Sequence, residues 1–322
     1  MDINYADKNG IDQGALLNYY LDIEANASSE GNTFEGNCSV ESSIIKDGGF
    51  IYVEGTEYGG IIDSIKIDTA KKIVYHKGRN WRGVLASKII SPNEGEDYYM
   101  VMGDLNTALS QIISRVDLSD FFVVETSPSG IETSAFKFRY IDAYAGITKM
   151  LAQNGAKLYM EWKKGKIHIS AVPIVDFSKE KEIGSDLFDF VIEQAFTGVN
   201  HIIGLGRGEL AERQVVHKYV DANGNVSDVQ SFYGKEEICK VYDYANCESL
   251  EELEEKVVEE LLSESNTSKI KVSSNNIVAD IGDKFTVTDI HTGISVTQYV
   301  VNKIITIQNG EIKINYKVGD VV

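Results

Sequence analysis

Residues Asn200–Arg213 read NHIIGLGRGELAER, with Gly204, Gly206 and Gly208 alternating behind an apolar run. The reading of these three glycines decides the fold class. A dinucleotide loop needs G-x-G-x-x-G between a strand and a helix, so that backbone N–H groups and the helix N-terminus meet the phosphates. Here the spacing is G-x-G-x-G, and the following ELAERQVVHKYVD, Glu209–Asp221, turns into a strand after one short turn at most. No strand–helix–strand alternation surrounds it. The glycines therefore read as strand and bend residues that let backbone run close or turn sharply. A doubly wound nucleotide fold drops out, and a β-rich chain remains.

The rest of the sequence extends that reading. The chain has 322 residues, enough for two or three domains. Its 17 tyrosines and 12 phenylalanines suit strands better than helices. Short β-branched runs occur at Phe50–Gly55, Gly60–Asp68 and Lys71–Arg79, separated by turn residues. The period then changes. Leu105, Leu109, Ile112, Ile113 and Val116 share one helical face behind Asp104, a suitable N-cap. A strand follows at 121–126, a second helix at 141–154, and a hairpin of Lys157–Lys163 with Lys166–Val172. Strands resume beyond Asp186. A third helix near 250–263 starts with the capping pair Ser249 and Glu252. Asn309-Gly310 is a strong hairpin turn between the last two strands. The expected fold is α+β and β-rich. Residues 1–103 form a β-barrel-like domain and 104–185 an inserted α+β domain. Residues 186–322 form a second β-barrel-like domain with a helical insertion around 248–265.

Charge and cysteine content narrow the function. The formal net charge is −18, and no Lys/Arg-rich run appears. Such a chain lacks the basic groove that supplies most nucleic-acid affinity. No apolar run reaches the roughly 18 residues of a membrane span. The start MDINYADKNG is polar and acidic, unlike a signal peptide. Cys38, Cys239 and Cys247 show no C-x-x-C spacing and read as reduced thiols.

No catalytic, cofactor or metal motif stands out. Asp221, Asn223 and Asn225 imitate the start of a calcium loop, but Val226 and Phe232 occupy the positions of its glycine and glutamate. The five histidines, His76, His168, His201, His217 and His291, are scattered, each read as a strand packing residue. The glutamates from Glu251 to Glu260 read as a solvated helix face whose first members suit the helix dipole. The most unusual cluster is Gly78–Pro92, where Arg79 and Arg82 flank Trp81. It reads equally as an interface anchor or as a core tryptophan with an arginine stacked on its ring. Arg79, Trp81, Arg82, Gly204, Gly206 and Gly208 are the candidate packing or assembly residues.

The order of these segments carries a resemblance. GTEYGGIIDSIKIDT (Gly55–Thr69) and KGRNWRGVLASKIISP (Lys77–Pro92) are followed by NHIIGLGRGELAER, VVHKYVDANGNV and YGKEEICKVYDYANCES. The closing ADIGDKFTVTD and YVVNKIITIQNGEIKINYKVGD complete the series. From about Gly55 onward the chain resembles phage and prophage tail hub proteins of long-tailed phages of Gram-positive bacteria. The resemblance implies a virion structural protein, a hub joining tail tube to tail tip or baseplate. It implies a homotrimer whose barrels form a ring, and as partners the tail tube or distal tail protein and tip or fibre proteins. It supplies no catalytic residue and no cofactor, and it places the chain in the virion tail, assembled in the host cytoplasm. Two other expectations stand beside it: a module binding host cell wall or carbohydrate, and a tail-associated wall hydrolase.

Overall fold

The computed structural model describes all residues except 47, 178–188, 195–197, 222–223, 266–267, 274–278, 289–290, 293–294 and 320–322. Asn223 and the expected boundary at 185 lie outside the described residues. Strands of three or more residues are numbered in chain order. Seven open the chain: β1 (Asn4–Asp7), β2 (Asp12–Ala15), β3 (Tyr20–Asn26), β4 (Thr33–Ser39), β5 (Gly49–Tyr52), β6 (Gly59–Asp68) and β7 (Ile73–Asn80). The short helix α1 (Trp81–Ala86) follows directly. Then come β8 (Tyr99–Asp104), α2 (Leu105–Arg115), β9 (Phe122–Val124), β10 (Glu132–Phe138) and α3 (Ala143–Gln153). The hairpin of β11 (Ala156–Lys163) and β12 (Lys166–Pro173) ends this part. The remainder holds β13 (Asp189–Gln194), β14 (His201–Leu205), β15 (Val215–Val220), β16 (Cys239–Asp243) and α4 (Leu250–Ser265). It finishes with β17 (Ser268–Ser273), β18 (Lys284–Thr288), β19 (Ser295–Gln308) and β20 (Glu311–Gly319).

Local chemistry accounts for the helix ends and hairpins. Asp104 and Asp142 accept from the N–H groups of Asn106 and Ala145, at 2.9 and 2.8 Å, and so start α2 and α3. Ser249 Oγ accepts from Glu252 N at 3.1 Å, while the Glu252 carboxylate reaches back to Glu248 N at 2.6 Å. Lys164-Gly165 and Asn309-Gly310 all have positive φ, the turn type that matches strand twist in two-residue hairpins.

One ten-stranded sheet dominates, in the order β2-β1-β5-β6-β7-β4-β3-β19-β18, with β20 on the other edge of β19. It wraps a core of alternate strand residues, including Leu21, Ile23, Phe34, Ile51, Ile62, Ile305 and Ile307. The N-terminal amino group donates to Gly310 O at 3.2 Å, so opposite ends of the ladder meet. The C-terminal strands thus extend the N-terminal sheet along β3, and their side chains share its core. The α+β segment packs on the outer side of this sheet. Its core joins α2, α3, β11 and β12 to Tyr52, Trp81 and Leu85.

By contacts the chain forms two compact units, Met1–Phe190 with Lys271–Val322, and Val191–Ile270. This differs from the expected division at 103 and 185. Among the described residues, the strands from Lys284 onward pair within the sheet of β3 and not with residues 201–243, the pairing expected of a 186–322 domain. Periodicity marks β19 as a strand, but its partner is chosen by the edge it completes. Asn302–Ile307 pairs antiparallel with Leu21–Asn26.

The second unit contains β14 at its centre, antiparallel to β15 and parallel to β16. The helix α4 covers one face, burying Leu253, Val257 and Leu261 against Ile202, Val216 and Val220. Its glutamates are more than a solvated face. Glu254 binds Lys218 of β15 at 3.1 Å, and Glu260 and Glu264 bind Lys240 of β16 at 2.8 and 2.6 Å. The opening glycines act here. A Cβ on Gly204 would stand 2.2 Å from Val257 Cγ2, and one on Gly206 2.8 Å from Leu253 Cδ2. Gly208 has φ +98° at the bend. The stretch is a strand with a bare face, on which a helix rests directly.

Two outcomes follow from this packing. Gly204→Ala overpacks the helix–sheet contact and is expected to destabilise by about 1–3 kcal/mol. Adding Val257→Ala should recover part of that loss, read by urea denaturation of single and double variants. Strict additivity would show that the two positions do not touch.

His76 provides the second. It is fully buried in β7, with Nδ1 3.0 Å from Tyr19 Oη. Burial lowers its pKa to about 4. Its contribution to stability is full above the unfolded value, about 6.5, and is lost as pH falls toward 4. Stability should drop by about 2 kcal/mol between pH 7 and 5 from this group alone. His76→Asn should flatten that slope in denaturation series at the two pH values.

Candidate functional site

The Gly78–Pro92 cluster is the place to begin, because its two arginines and its tryptophan take three different roles. Arg79, at the end of β7, lies half-exposed and is held by Asp63 through Nε at 2.9 Å and Nη2 at 2.8 Å. Hydrogen bonding from Arg79 lowers the Asp63 pKa. Trp81 is 1% exposed and opens α1, which Asn80 caps by accepting from Gly83 N. Its ring stacks on Trp162 at 5.1 Å and lies 5.8 Å from Phe121. Tyr52 stacks on the other tryptophan at 4.6 Å. Trp81 thus pins β5, α1 and the β11–β12 hairpin together, and offers no surface to a partner in this state.

Arg82 does not stack on the tryptophan. It is 4% exposed and binds Glu57 at 2.5 Å. Glu57 binds Lys303 of β19 at 2.7 Å, and Lys303 binds Asp280 at 3.0 Å. Asp280 is shared with Lys157 of β11 at 3.4 Å, and Lys157 binds Asp283 at 2.6 Å. Three cations and three carboxylates alternate in one chain of contacts. Lys303 is 2% exposed and also sits 5.5 Å from the centre of the Tyr58 ring. Asp283 accepts from the N–H groups of Val175 and Asp280 at 2.9 and 2.8 Å, so its oxygens are occupied.

The electrostatics are those of a satisfied buried network. Burial penalises the Glu57 carboxylate, but Arg82 and Lys303 outweigh it and lower its pKa to about 2. Burial likewise opposes the Lys303 ammonium, and Glu57 and Asp280 reverse the effect and raise its pKa. Sequence reading singled out Arg82 and missed its partners. Glu57, Lys157, the Asp280–Asp283 turn and Lys303 lie far apart in the chain, and isolated charges in strands and turns carry no local signature.

The other sequence candidates are placed as follows. Gly204, Gly206 and Gly208 belong to the second unit: Gly204 and Gly206 pack under α4, and Gly208 makes the bend against Glu212 and Arg213. Asp221 and Asn225 close a turn on themselves, Asn225 N donating to Asp221 Oδ1 at 2.8 Å. That turn serves β15, and the imitation of a calcium loop ends there. No helix among the described residues is long and apolar enough to cross a membrane.

An exposed ribbon appears that the sequence reading did not single out. Tyr98, Met100 and Met102 are 42%, 53% and 61% exposed on and beside β8. Lys137 and Arg139 hold their charges over the Tyr98 ring, at 5.4 and 5.9 Å from its centre. Methionine, tyrosine and arginine are residues enriched at interfaces.

Known proteins resemble this chain in shape, not in sequence. No protein-family model matches it, and no curated protein matches it. The 43 kDa tail protein of prophage MuSo2 from Shewanella oneidensis aligns over 100% of this chain and 99% of its own, with TM-score 0.58 and 10% identity. A tail protein from Neisseria meningitidis aligns over 98% and 95%, with TM-score 0.53 and 11% identity. Prophage tail protein gp18 from Listeria monocytogenes aligns over 99% and 94%, with TM-score 0.50 and 12% identity. The chain has a phage tail-protein fold. Both compact units of this tail-protein fold are covered, and its occurrence in three genera singles out no host group.

The ion network gives the test of this region. Lys303→Met leaves the buried Glu57 carboxylate one cation short and should cost about 3–5 kcal/mol. Lys77→Ala, which removes the half-exposed pair with Glu35, should cost about 1 kcal/mol or less. Because the folded pKa of Glu57 is lowered, its contribution is present above about pH 4.5 and lost as pH falls toward 2. Urea midpoints of the two variants, compared at pH 7, decide whether the network carries stability.

Proposed function

We propose that this chain is a structural subunit of a phage or prophage tail, the hub that joins the tail tube to the tip or baseplate. The observation that carries the reading is the end-to-end match of the tail-protein fold, 98–100% of this chain against 94–99% of the others. Its work is assembly rather than turnover. Its partners are other tail proteins: the tube or distal tail protein on one side, and tip or fibre proteins on the other. It acts as a homotrimer in the virion tail, assembled in the host cytoplasm.

Two physical features support assembly. The net charge of −18 suits a ring through which DNA travels, since an acidic lumen repels phosphates and keeps the duplex from sticking. The ribbon of Tyr98, Met100 and Met102 with Lys137 and Arg139 fits a second copy of the chain. It is a basic and apolar patch facing an acidic protein, so charge and apolar contact act together.

The purified chain, alone and with its tail-tube partner, should be measured by mass in solution and imaged by electron microscopy. A three-membered ring is expected. A strict monomer in both conditions overturns the hub reading. Replacing Met100 and Met102 by Glu should abolish the ring while shifting stability by no more than about 0.5 kcal/mol, as exposed positions do.

A further inference from the structure

The second unit gathers four residues that the sequence scatters over forty positions. His201 on β14 is 6% exposed. Its Nδ1 lies 2.7 Å from Glu237 Oε1, and its Nε2 lies 2.9 Å from His217 Nδ1. Cys239, the first residue of β16, stands opposite His201 in the parallel ladder. The Tyr219 ring stacks on the imidazole at 4.3 Å and walls one side. One ligand atom each from His201, Glu237 and Cys239 falls within 4.8 Å of the other two. The spacing 201, 237, 239 has no motif, because two strands and the turn before the second bring the donors together.

We propose that His201 Nδ1, the Glu237 carboxylate and Cys239 Sγ bind one borderline-soft divalent cation of the zinc class. A nitrogen, oxygen and sulfur set of this kind suits Zn2+, whereas Ca2+ and Mg2+ take oxygen ligands. Tetrahedral binding needs the His201 nitrogen and the Glu237 oxygen about 3.3 Å apart, from bonds of about 2 Å each. The observed separation is shorter, and a small rotation of the part-exposed Glu237 side chain opens it. Cys239 is exposed, so its thiol can swing toward the pair and the ion can enter from solvent. The fourth position is left to water.

His217 acts as a positioning residue. With His201 Nε2–H donating to His217 Nδ1, Nδ1 of His201 presents its lone pair toward Glu237. Ligating histidines are commonly fixed in this way through their other nitrogen. The thiolate is the ligand form of cysteine, so binding the cation releases the Cys239 thiol proton to solvent. In the metal-free protein, burial and the neighbouring Glu237 charge raise the Cys239 pKa, and a bound cation reverses this influence.

The test uses the full chain, freed of any tag, stripped with a chelator and kept in a non-thiol reductant. Titration with Co2+ should give one equivalent bound, with thiolate charge-transfer absorption and the intense visible bands of a tetrahedral site. Zn2+ should displace it. Cys239→Ser, an exposed change, should abolish the thiolate band and weaken binding by about tenfold or more, whereas the buried Cys247 is not a donor. His217→Ala should keep the band and weaken binding about 10- to 100-fold. Folded wild type that shows no thiolate band, or Cys239→Ser that binds as wild type does, overturns the site.

Discussion

Glu57 is the carboxylate on which the larger unit turns. It lies in the loop between β5 and β6, and it is reached by Arg82 from α1 and by Lys303 from β19. Those two cations come from segments more than 200 residues apart, and each is nearly sealed from water. Removing either charge from solvent costs several kcal/mol after relaxation, a cost recovered only with close partners on every side. The arrangement tolerates no substitute geometry. If β19 slips by one residue along β3, Lys303 leaves the network and Ile305 and Ile307 leave the core together. Apolar burial stabilises the extended sheet, and the ion chain fixes the register in which it pairs.

This explains a division of labour along one face of β19. Lys303, Ile305 and Ile307 alternate along the strand and so point to the same side: the two isoleucines enter the sheet's core, and Lys303, next along that face, finds Glu57 and Asp280. From there Lys157 carries the contact to β11. The barrel and the α+β segment are thus joined twice. The aromatic cluster around Trp81 and Trp162 joins them by apolar contact, and the six-residue ion chain joins them by charge. An apolar contact alone allows sliding; the directional hydrogen bonds of the charged groups do not.

Much of the secondary structure was legible in the sequence. The periods of α2, α3 and α4, the Asp104 cap, the Ser249–Glu252 pair and the two hairpin turns are local, and local chemistry sets them. The glycines were also legible as strand and bend residues, Gly204 in β14 and Gly208 at the bend, though what they accommodate was not. Val257 and Leu253 lie some fifty residues away on α4, and nothing near Gly204 announces them. The same limit hid the extension of the first sheet by β19 and β20. Any alternating strand satisfies the pattern, and only the free edge of β3 selects this one. The candidate residues show the limit most clearly. Trp81 and Arg82 were visible as a rare pair in an acidic chain. Their burial and their different partners depend on residues 57, 162 and 303, which no window of sequence contains.

The charge distribution links the interior to assembly. The buried network is neutral, with three cations against three carboxylates, so the net −18 belongs to the rest of the chain. Copies of such a chain repel one another at long range. At physiological salt that repulsion fades within about 8 Å, the Debye length. Short-range contact then governs association, and it needs apolar area with some positive charge. The ribbon of Tyr98, Met100 and Met102 supplies the first, and Lys137 and Arg139 supply the second. Because the methionines are unbranched and polarisable, they can fit a partner surface without a preformed pocket. In the proposed assembly, this balance would let a template that holds copies close together bring the ribbon into contact.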